Sequence, residues 1–503
     1  MSIGSMPTKG DATALALAIV RGECSALQVL QHTLDRVAQL NGRLNAVCLL
    51  RPEVAEPVAA ALDAELAACR DDSARAALLR SKPFFGVPLL LKDVGPATAH
   101  RGLPSRMGSR VFGAAGKAWP VDGTLTQRYL AAGFVPFGRS TSPEMGMSAS
   151  TEAVAYGGPT RNPWSLAHSA GGSSGGAASA MAAGMVAIAH ANDGAGSIRI
   201  PASACGLVGL KPSRGLMPTG PLAGEAWGGL ATDHMLTRSV RDCAAALDAS
   251  AGDDAGAPYA APPRPAPFVA ALDEAPAALR IGLCNSFYEG DAVHPDVARV
   301  VQAFAAQLAN LGHHVEPVRM DLGTLDVVRA VMHVVATGTS MELDAIERQR
   351  GRPIADDEIE PVTRSAWALG RTLTAADYLR AVSAMHMLGR RMAVFHERFD
   401  LLLTPTLAEP PALLGRYAMS HPDFTEYRMG AQGLWRYSPF APLANATGAP
   451  AISLPAGLSA SGLPIGAMLS AALGQDALLL RVARQWELLQ GGAPAALAPA
   501  FRA

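Results

Sequence analysis

The sequence predicts an α/β protein, a β-sheet covered by helices on both faces. Continuous apolar runs such as 84-FFGVPLLLKDV-94 have the length and bulk of strands buried on both sides. Between such runs lie segments of helical periodicity, which together imply a layered α/β architecture. The 503 residues, 49% of them hydrophobic, can bury a core of the size that such a sheet needs.

Residues 11–70 carry apolar positions at helical spacing and are expected to form two or three helices, with Gly22 and Gly42 as breaks. The runs 84–94, 134-FVPFGRS-140, 280-RIGLCNS-286, 400-DLLLTPT-406, 450-PAISLPAG-457 and 464-PIGAMLSA-471 are expected to be strands. The segment 161-RNPWSLAHSA-170 shows no strand pattern. The uncharged stretch 169–192 is mostly Gly, Ala and Ser; a membrane span needs about 20 strongly apolar residues, so a closely packed core helix is expected. In 296-DVARVVQAFAAQLANLG-312, Val297, Val300, Val301, Phe304, Leu308 and Leu311 form one stripe and Gly312 supplies a stop. Residues 257–267 read as a surface connection and 324–398 as a helical insertion over the sheet.

Charge excludes several classes of partner. The 42 Lys and Arg balance 43 Asp and Glu without long blocks of either sign, so no sequence-independent grip on nucleic acid or an anionic membrane is expected. The six cysteines lack C-x-x-C or paired Cys/His spacing, which implies neither a zinc site nor a disulfide framework. No metal or cofactor is expected. The first residues lack a basic segment followed by a sustained apolar one, and with the free cysteines this implies a cytoplasmic protein.

Two small-residue loops raise the question of chemistry. As a bare string 171-GGSSGG-176 could be a spacer. It runs directly into Ala-Ala-Ser-Ala-Met-Ala-Ala, however, so its glycines stand at a helix N-terminus, where free N–H groups face the loop. The second loop, 193-DGAGS-197, again brings small residues and a serine, the material of an oxyanion hole; Ser197 could also be a helix cap beside Pro201. A serine nucleophile needs a base, and none of the twelve histidines is marked by a motif. Lys92 ends an apolar run, where burial would favour the neutral amine, a base; a lysine reaching solvent from the strand end fits equally.

The combination of FFGVPLLLKD (84–93), SPEMGMSASTE (142–152), RNPW (161–164), GGSSGG, DGAGSIRIPASACGLVGLKPSRG (193–215), NATGAPAISLPAG (445–457) and GLPIGAMLS (462–470) resembles the amidase signature family. The resemblance implies that family's fold, a mixed twisted β-sheet core covered by helices on both faces. It also implies one amidase domain over 1–503: an N-terminal helical region (1–75), a catalytic core (76–250), and a helical insertion with the substrate pocket (324–440). The family's hydrolytic unit falls on Ser197 as nucleophile, Ser173 as bridging serine after a cis peptide, and Lys92 as base. Backbone N–H groups of Gly194, Ala195, Gly196 and Ser197 are the expected oxyanion donors, and Asp193 and Arg199 the supports of that loop.

Many members have two glycines before the nucleophile, where this chain has Ala195-Gly196. With Asn192 and RNPW, this looks most like the branch containing aminohexanoate cyclic-dimer (nylon oligomer) hydrolases and related aryl-amide- and urethane-cleaving enzymes. The expected activity is hydrolysis of uncharged or weakly polar amides, and also of carbamates, by a monomer or homodimer. The alternative is an amidotransferase subunit that supplies ammonia to a misacylated tRNA within a complex. Met145, Met147, Tyr156, Trp227, Trp435 and Tyr437 are the candidate substrate contacts.

Overall fold

The structure, a computed structural model, describes residues 10–264, 266–287, 290–320, 322–492 and 497–501. An eleven-stranded sheet organises them. From one edge to the other its strands are Val47–Leu50, Val135–Ser140, Pro88–Lys92, Ala189–Asp193, Thr232–Thr237, Val208–Lys211, Ala451–Leu458, Pro464–Ala471, Leu401–Pro405, Arg280–Leu283 and His314–Pro317. Pairing is mixed: Pro88–Lys92 runs parallel to Val135–Ser140, whereas Ala189–Asp193 runs antiparallel to Thr232–Thr237 and Leu401–Pro405 antiparallel to Pro464–Ala471. Every residue of Pro88–Lys92, Val135–Ser140 and Leu401–Pro405 is buried, the environment that their largely apolar sequences favour. Helices flank the sheet. Among them, Val240–Ser250 packs on Thr232–Thr237, and Pro295–Asn310 lays Val297, Val300, Val301, Phe304 and Leu308 against the C-terminal strands.

The six strands expected from apolar runs are present, but five further strands of the sheet were not anticipated. Ala189–Asp193 and Thr232–Thr237 carry His190, Asn192, Asp193, Asp233 and His234 inside the sheet, so no continuous apolar run marks them. Val47–Leu50 and His314–Pro317 are four-residue edge strands with partly exposed faces, and Val208–Lys211 is equally short. The stretch 169–192 is not one helix. Its helix spans only Gly175–Ala182, and Gly184, at φ +74°, turns the chain toward the strand Ala189–Asp193.

Gly42 breaks nothing: it lies inside the helix Ala26–Leu44, which ends instead at Asn45 in the left-handed conformation. Ser165–Ser169 pairs with Arg161–Asn162 in a two-stranded ribbon outside the main sheet, so a strand does precede the Gly-Ser loop. A partly exposed ribbon has no need of an apolar run. Residues 324–398, expected as a helical insertion, form the helices Thr324–Arg350, Pro361–Thr372 and Ala375–Arg398, the latter two each packed on the first. Among the described residues, no helix is long and apolar enough to cross a membrane.

The helix after the Gly-Ser loop is locked to the edge of the sheet by backbone contact. A Cβ on Gly176 would fall 2.4 Å from Thr141 N and 2.6 Å from Ala46 O. Gly176→Ala is therefore expected to destabilise the fold by about 1–3 kcal/mol, the usual cost of overpacking. Thermal unfolding followed by calorimetry checks this, and an unchanged midpoint would contradict the contact.

Candidate active site

Lys92, the last residue of its strand, is fully buried. Its Nζ lies 2.6 Å from Ser173 Oγ and 2.6 Å from Asn192 Oδ1. Burial lowers its pKa from 10.5 to about 7, and the charges of Asp233 and Asp193 pull the other way. The amine is thus poised between its two protonation states at neutral pH. Ser173 follows a cis peptide from Gly172, and the next helix begins at Gly175, with Ser174 as its cap residue.

The second loop is built around one carboxylate. Asp193 Oδ1 accepts from Gly196 N at 2.6 Å, and Oδ2 accepts from Ile198 N at 3.1 Å. Arg199 grips the same group with Nε and Nη2, each at 2.9 Å, and Asn445 Nδ2 adds a further bond at 2.9 Å. Burial by itself raises the Asp193 carboxyl, but the charge and hydrogen bonds of Arg199, with the Asn445 bond, outweigh it and hold the group well below the usual carboxylate range. The two loops touch, because Ser174 Oγ donates to Asn192 O at 3.3 Å.

Ser197 sits at the mouth of this arrangement, 9% exposed. It is not a helix cap, since Ile198 takes that place before Arg199–Cys205. No hydrogen bond joins its hydroxyl to Ser173 or Lys92. Among the described residues, the N–H groups of Gly194, Ala195 and Ser197 have no protein acceptor. The expectation for Gly196 is corrected: its N–H is already committed to Asp193, which leaves three donors in the loop.

The candidate substrate contacts separate into two groups. Trp227 is close to the loop, with its ring 2.7 Å from where a Cβ on Gly194 would stand and 3.0 Å from the corresponding point on Gly338 of the insertion. Met145 adjoins Gly146, where an added Cβ would lie 3.3 Å from Ser173 Oγ. The others are held by the protein itself. Met147 is buried, its sulfur accepting from Thr339 Oγ1 at 3.2 Å. Tyr156 donates its hydroxyl to Asp93 and accepts from Gly108 N at 2.7 Å. Trp435 is buried beneath Arg428, and the Tyr437 ring is buried against that of Tyr417, centroids 5.1 Å apart, so neither has an exposed face.

Asn192, His190, Asp233 and Asn445 were missed as site residues. The signal for the first three was polarity inside what proves to be a buried strand pair, legible only once those strands are recognised. Among the described residues no group of three or more His, Cys, Asp or Glu could hold a metal ion.

A family model described as Amidase matches residues 28–480. The chain belongs to the amidase signature family. It is similar to the 6-aminohexanoate-cyclic-dimer hydrolase of Pseudomonas sp. (strain NK87), with 36% identity over 95% of this chain and 94% of that protein. The solved structure of 6-aminohexanoate cyclic dimer hydrolase complexed with substrate is 33% identical at a TM-score of 0.87, covering 98% of this chain and 100% of the other. That of a bacterial aryl acylamidase of the amidase signature family is 28% identical at a TM-score of 0.86, with 98% and 99% covered. This member is accordingly a hydrolase of carbon–nitrogen bonds, and the amidotransferase alternative is not favoured.

The Asp193–Arg199 pair gives the loop a measurable signature. Arg199→Met would leave a buried carboxylate without its cation, a loss of about 3–5 kcal/mol at pH 7. The folded-state pKa of Asp193 is depressed, so the stability it contributes is present above the unfolded carboxyl pKa and is lost as pH falls through the folded value. Calorimetry of both proteins should show a gap in unfolding free energy that narrows below about pH 4; a gap independent of pH would contradict the pairing.

Proposed function

We propose that the enzyme hydrolyses amides by acyl transfer through Ser197, Ser173 and Lys92. The observation that carries this reading is the 2.6 Å contact between Ser173 Oγ and a buried Lys92 amine with a pKa of about 7. Neutral Lys92 takes the Ser173 proton while Ser173 takes that of Ser197, whose oxygen attacks the carbonyl carbon. The N–H groups of Gly194, Ala195 and Ser197 receive the oxyanion, and loss of one such donor typically costs about 2.7–4 kcal/mol. The relay then runs in reverse, protonating the leaving nitrogen as the C–N bond breaks. Water, activated by the same relay, releases the acyl group from Ser197.

The substrates we infer are uncharged or weakly polar amides carrying an apolar or aryl group, with carbamates as a second class. Trp227 and Met145 beside the two loops supply flat and adaptable apolar surface, and the relatives are named for a cyclic amide and for aryl acylamides. The insertion helices contribute through the contact of Gly338 with Trp227, which supports a pocket shaped partly by residues 324–440. A carbamate offers Ser197 the same carbonyl, and its nitrogen or its alcohol can leave.

Ser197→Ala is expected to lower kcat by about 10³-fold or more while the protein stays folded. Lys92→Ala should be comparably impaired, and Ser173→Ala less so. Because the base works as the neutral amine, kcat/KM should rise with pH through about 7. Steady-state kinetics on an aryl acetamide, an aminohexanoate cyclic dimer, a primary fatty amide and an aryl carbamate tests both parts. Full activity in Ser197→Ala would sink the mechanism, whereas inert aryl and carbamate substrates beside an active small primary amide would sink only the apolar pocket.

A further inference from the structure

Lys92 is held from a second side, by groups that the relay does not use. Residues 190 and 192 project from the same face of the strand Ala189–Asp193, because side chains alternate along a strand. Asn192 Oδ1 meets Lys92 Nζ at 2.6 Å. The backbone N–H of Lys92 donates to His190 Nδ1 at 3.2 Å, which settles the tautomer of that ring. Its proton is therefore on Nε2, which donates to Asp233 Oδ1 at 3.1 Å. Asp233 stands opposite Asn192 in the antiparallel register with Thr232–Thr237. Carboxylate, imidazole and amide thus share one face of this strand pair, at the end where Lys92 arrives.

Charge around this face is unevenly matched. Asp193 is the nearer to balance, since Arg199 lies 2.9 Å from it. The Arg139 guanidinium, which donates to Lys92 O at 3.0 Å, is directed at that carbonyl and those of Thr98 and Leu103. Asp93, the next residue along, is taken up by Ser105 Oγ at 2.6 Å, the Arg106 N–H and the Tyr156 hydroxyl. Burial pushes the Tyr129 hydroxyl far up, so the ring that stands 6.2 Å from His190 stays neutral. Burial likewise lowers His190, so the side-chain partner of Asp233 among the described residues carries no charge. Among the described residues Asp233 is left as a buried carboxylate without a matched cation, and of the two charges that favour protonated Lys92 it is the larger influence.

We propose that Asp233 is a positioning residue for the base: its carboxylate, oriented by His190, is the counter-charge that lets buried Lys92 take up and hold a proton. The inference rests on the reading of Lys92 as the base. A lysine that burial held permanently neutral would be too weak a base to draw the proton from Ser173, and base strength falls with the stability of the conjugate acid. Asp233 restores part of that stability at a distance, leaving the Nζ lone pair free to face Ser173.

The test is the pH profile of kcat/KM for hydrolysis of 4-nitroacetanilide by the full chain and its variants. Asp233→Asn keeps an oxygen for His190 Nε2–H and removes only the charge. Its alkaline rise is expected to move to lower pH by about 0.5 unit or more, with a plateau reduced by about 3- to 10-fold. Asp233→Glu, which keeps the charge, should stay near the wild-type midpoint. Should Asp233→Asn not fold, Asp233→Ser gives the same readout. A purely structural role would lower activity at every pH without shifting the midpoint, and that result overturns the proposal while leaving the relay intact. Lys92→Met separates the two readings: activity and an alkaline rise retained in that variant would overturn the relay and this inference together.

Discussion

The carboxylate of Asp193 is the fixed point around which the site is folded. It accepts from Gly196 N, Ile198 N, Arg199 and Asn445, and all of these donors are buried. An ion pair so placed loses hydration on both sides, and it survives because each remaining lone pair and proton is matched. Arg199 completes its own set with Ala441 O at 2.8 Å and Asn445 Oδ1 at 2.6 Å. The helix Ala441–Thr447 is thereby fastened to a loop far earlier in the chain, Asn445 lying 252 positions after Asp193. That helix leads into the strands Ala451–Leu458 and Pro464–Ala471, so the geometry at Ser197 depends on the C-terminal half of the sheet being in place.

Burial alone does not make a lysine a base. Lys211 is also fully buried and also lowered to about 7, chiefly by burial. Its Nζ donates to Pro212 O at 2.7 Å, and the nearby carboxylate of Asp476 is occupied by Ser213. A backbone carbonyl has no proton to give. Lys92 differs in its partners: a neutral amine has two N–H donors and one lone pair, and Asn192 Oδ1 can receive a donor while Ser173 Oγ–H faces the lone pair. In the proposed relay, burial and charge set the protonation state, and the two hydrogen bonds set the direction in which the proton moves.

The parts of the molecule that were legible in the sequence are those where one physical requirement dominates. Strands buried on both faces show as apolar runs, and loops that backbone must approach closely show as runs of Gly, Ser and Ala. Illegible were positions where two requirements compete. His190 and Asp233 lower the apolar content of their strands, where one accepts from Lys92 N and the two bond each other, and that polarity hid the strands themselves. Trp435 and Tyr437 have the chemistry of substrate contacts, yet both are buried, one against the Arg428 guanidinium and the other against the Tyr417 ring, which composition cannot reveal. Gly196 looked like one more oxyanion donor, and only the three-dimensional path of the loop shows its N–H turned inward to Asp193.

The departure at Ala195 follows from the same path. Gly194 is constrained by Trp227, whose ring would lie 2.7 Å from any Cβ placed there. Gly196 is constrained twice, by its φ of +123° and by Ala441 Cβ and Ile200 Cδ1 at 2.8 Å from the position of an added Cβ. Residue 195 has neither restriction: its φ is not positive, and its methyl group is only partly buried. A glycine there would add backbone freedom to a loop whose N–H directions matter, whereas alanine reduces the conformations open to the unfolded chain without touching a donor. The glycine requirement in this loop is thus one of space at 194 and of conformation at 196. Ala195 fits a loop held by Asp193 on its inner side, in which, among the described residues, the N–H groups of Gly194, Ala195 and Ser197 have no protein acceptor.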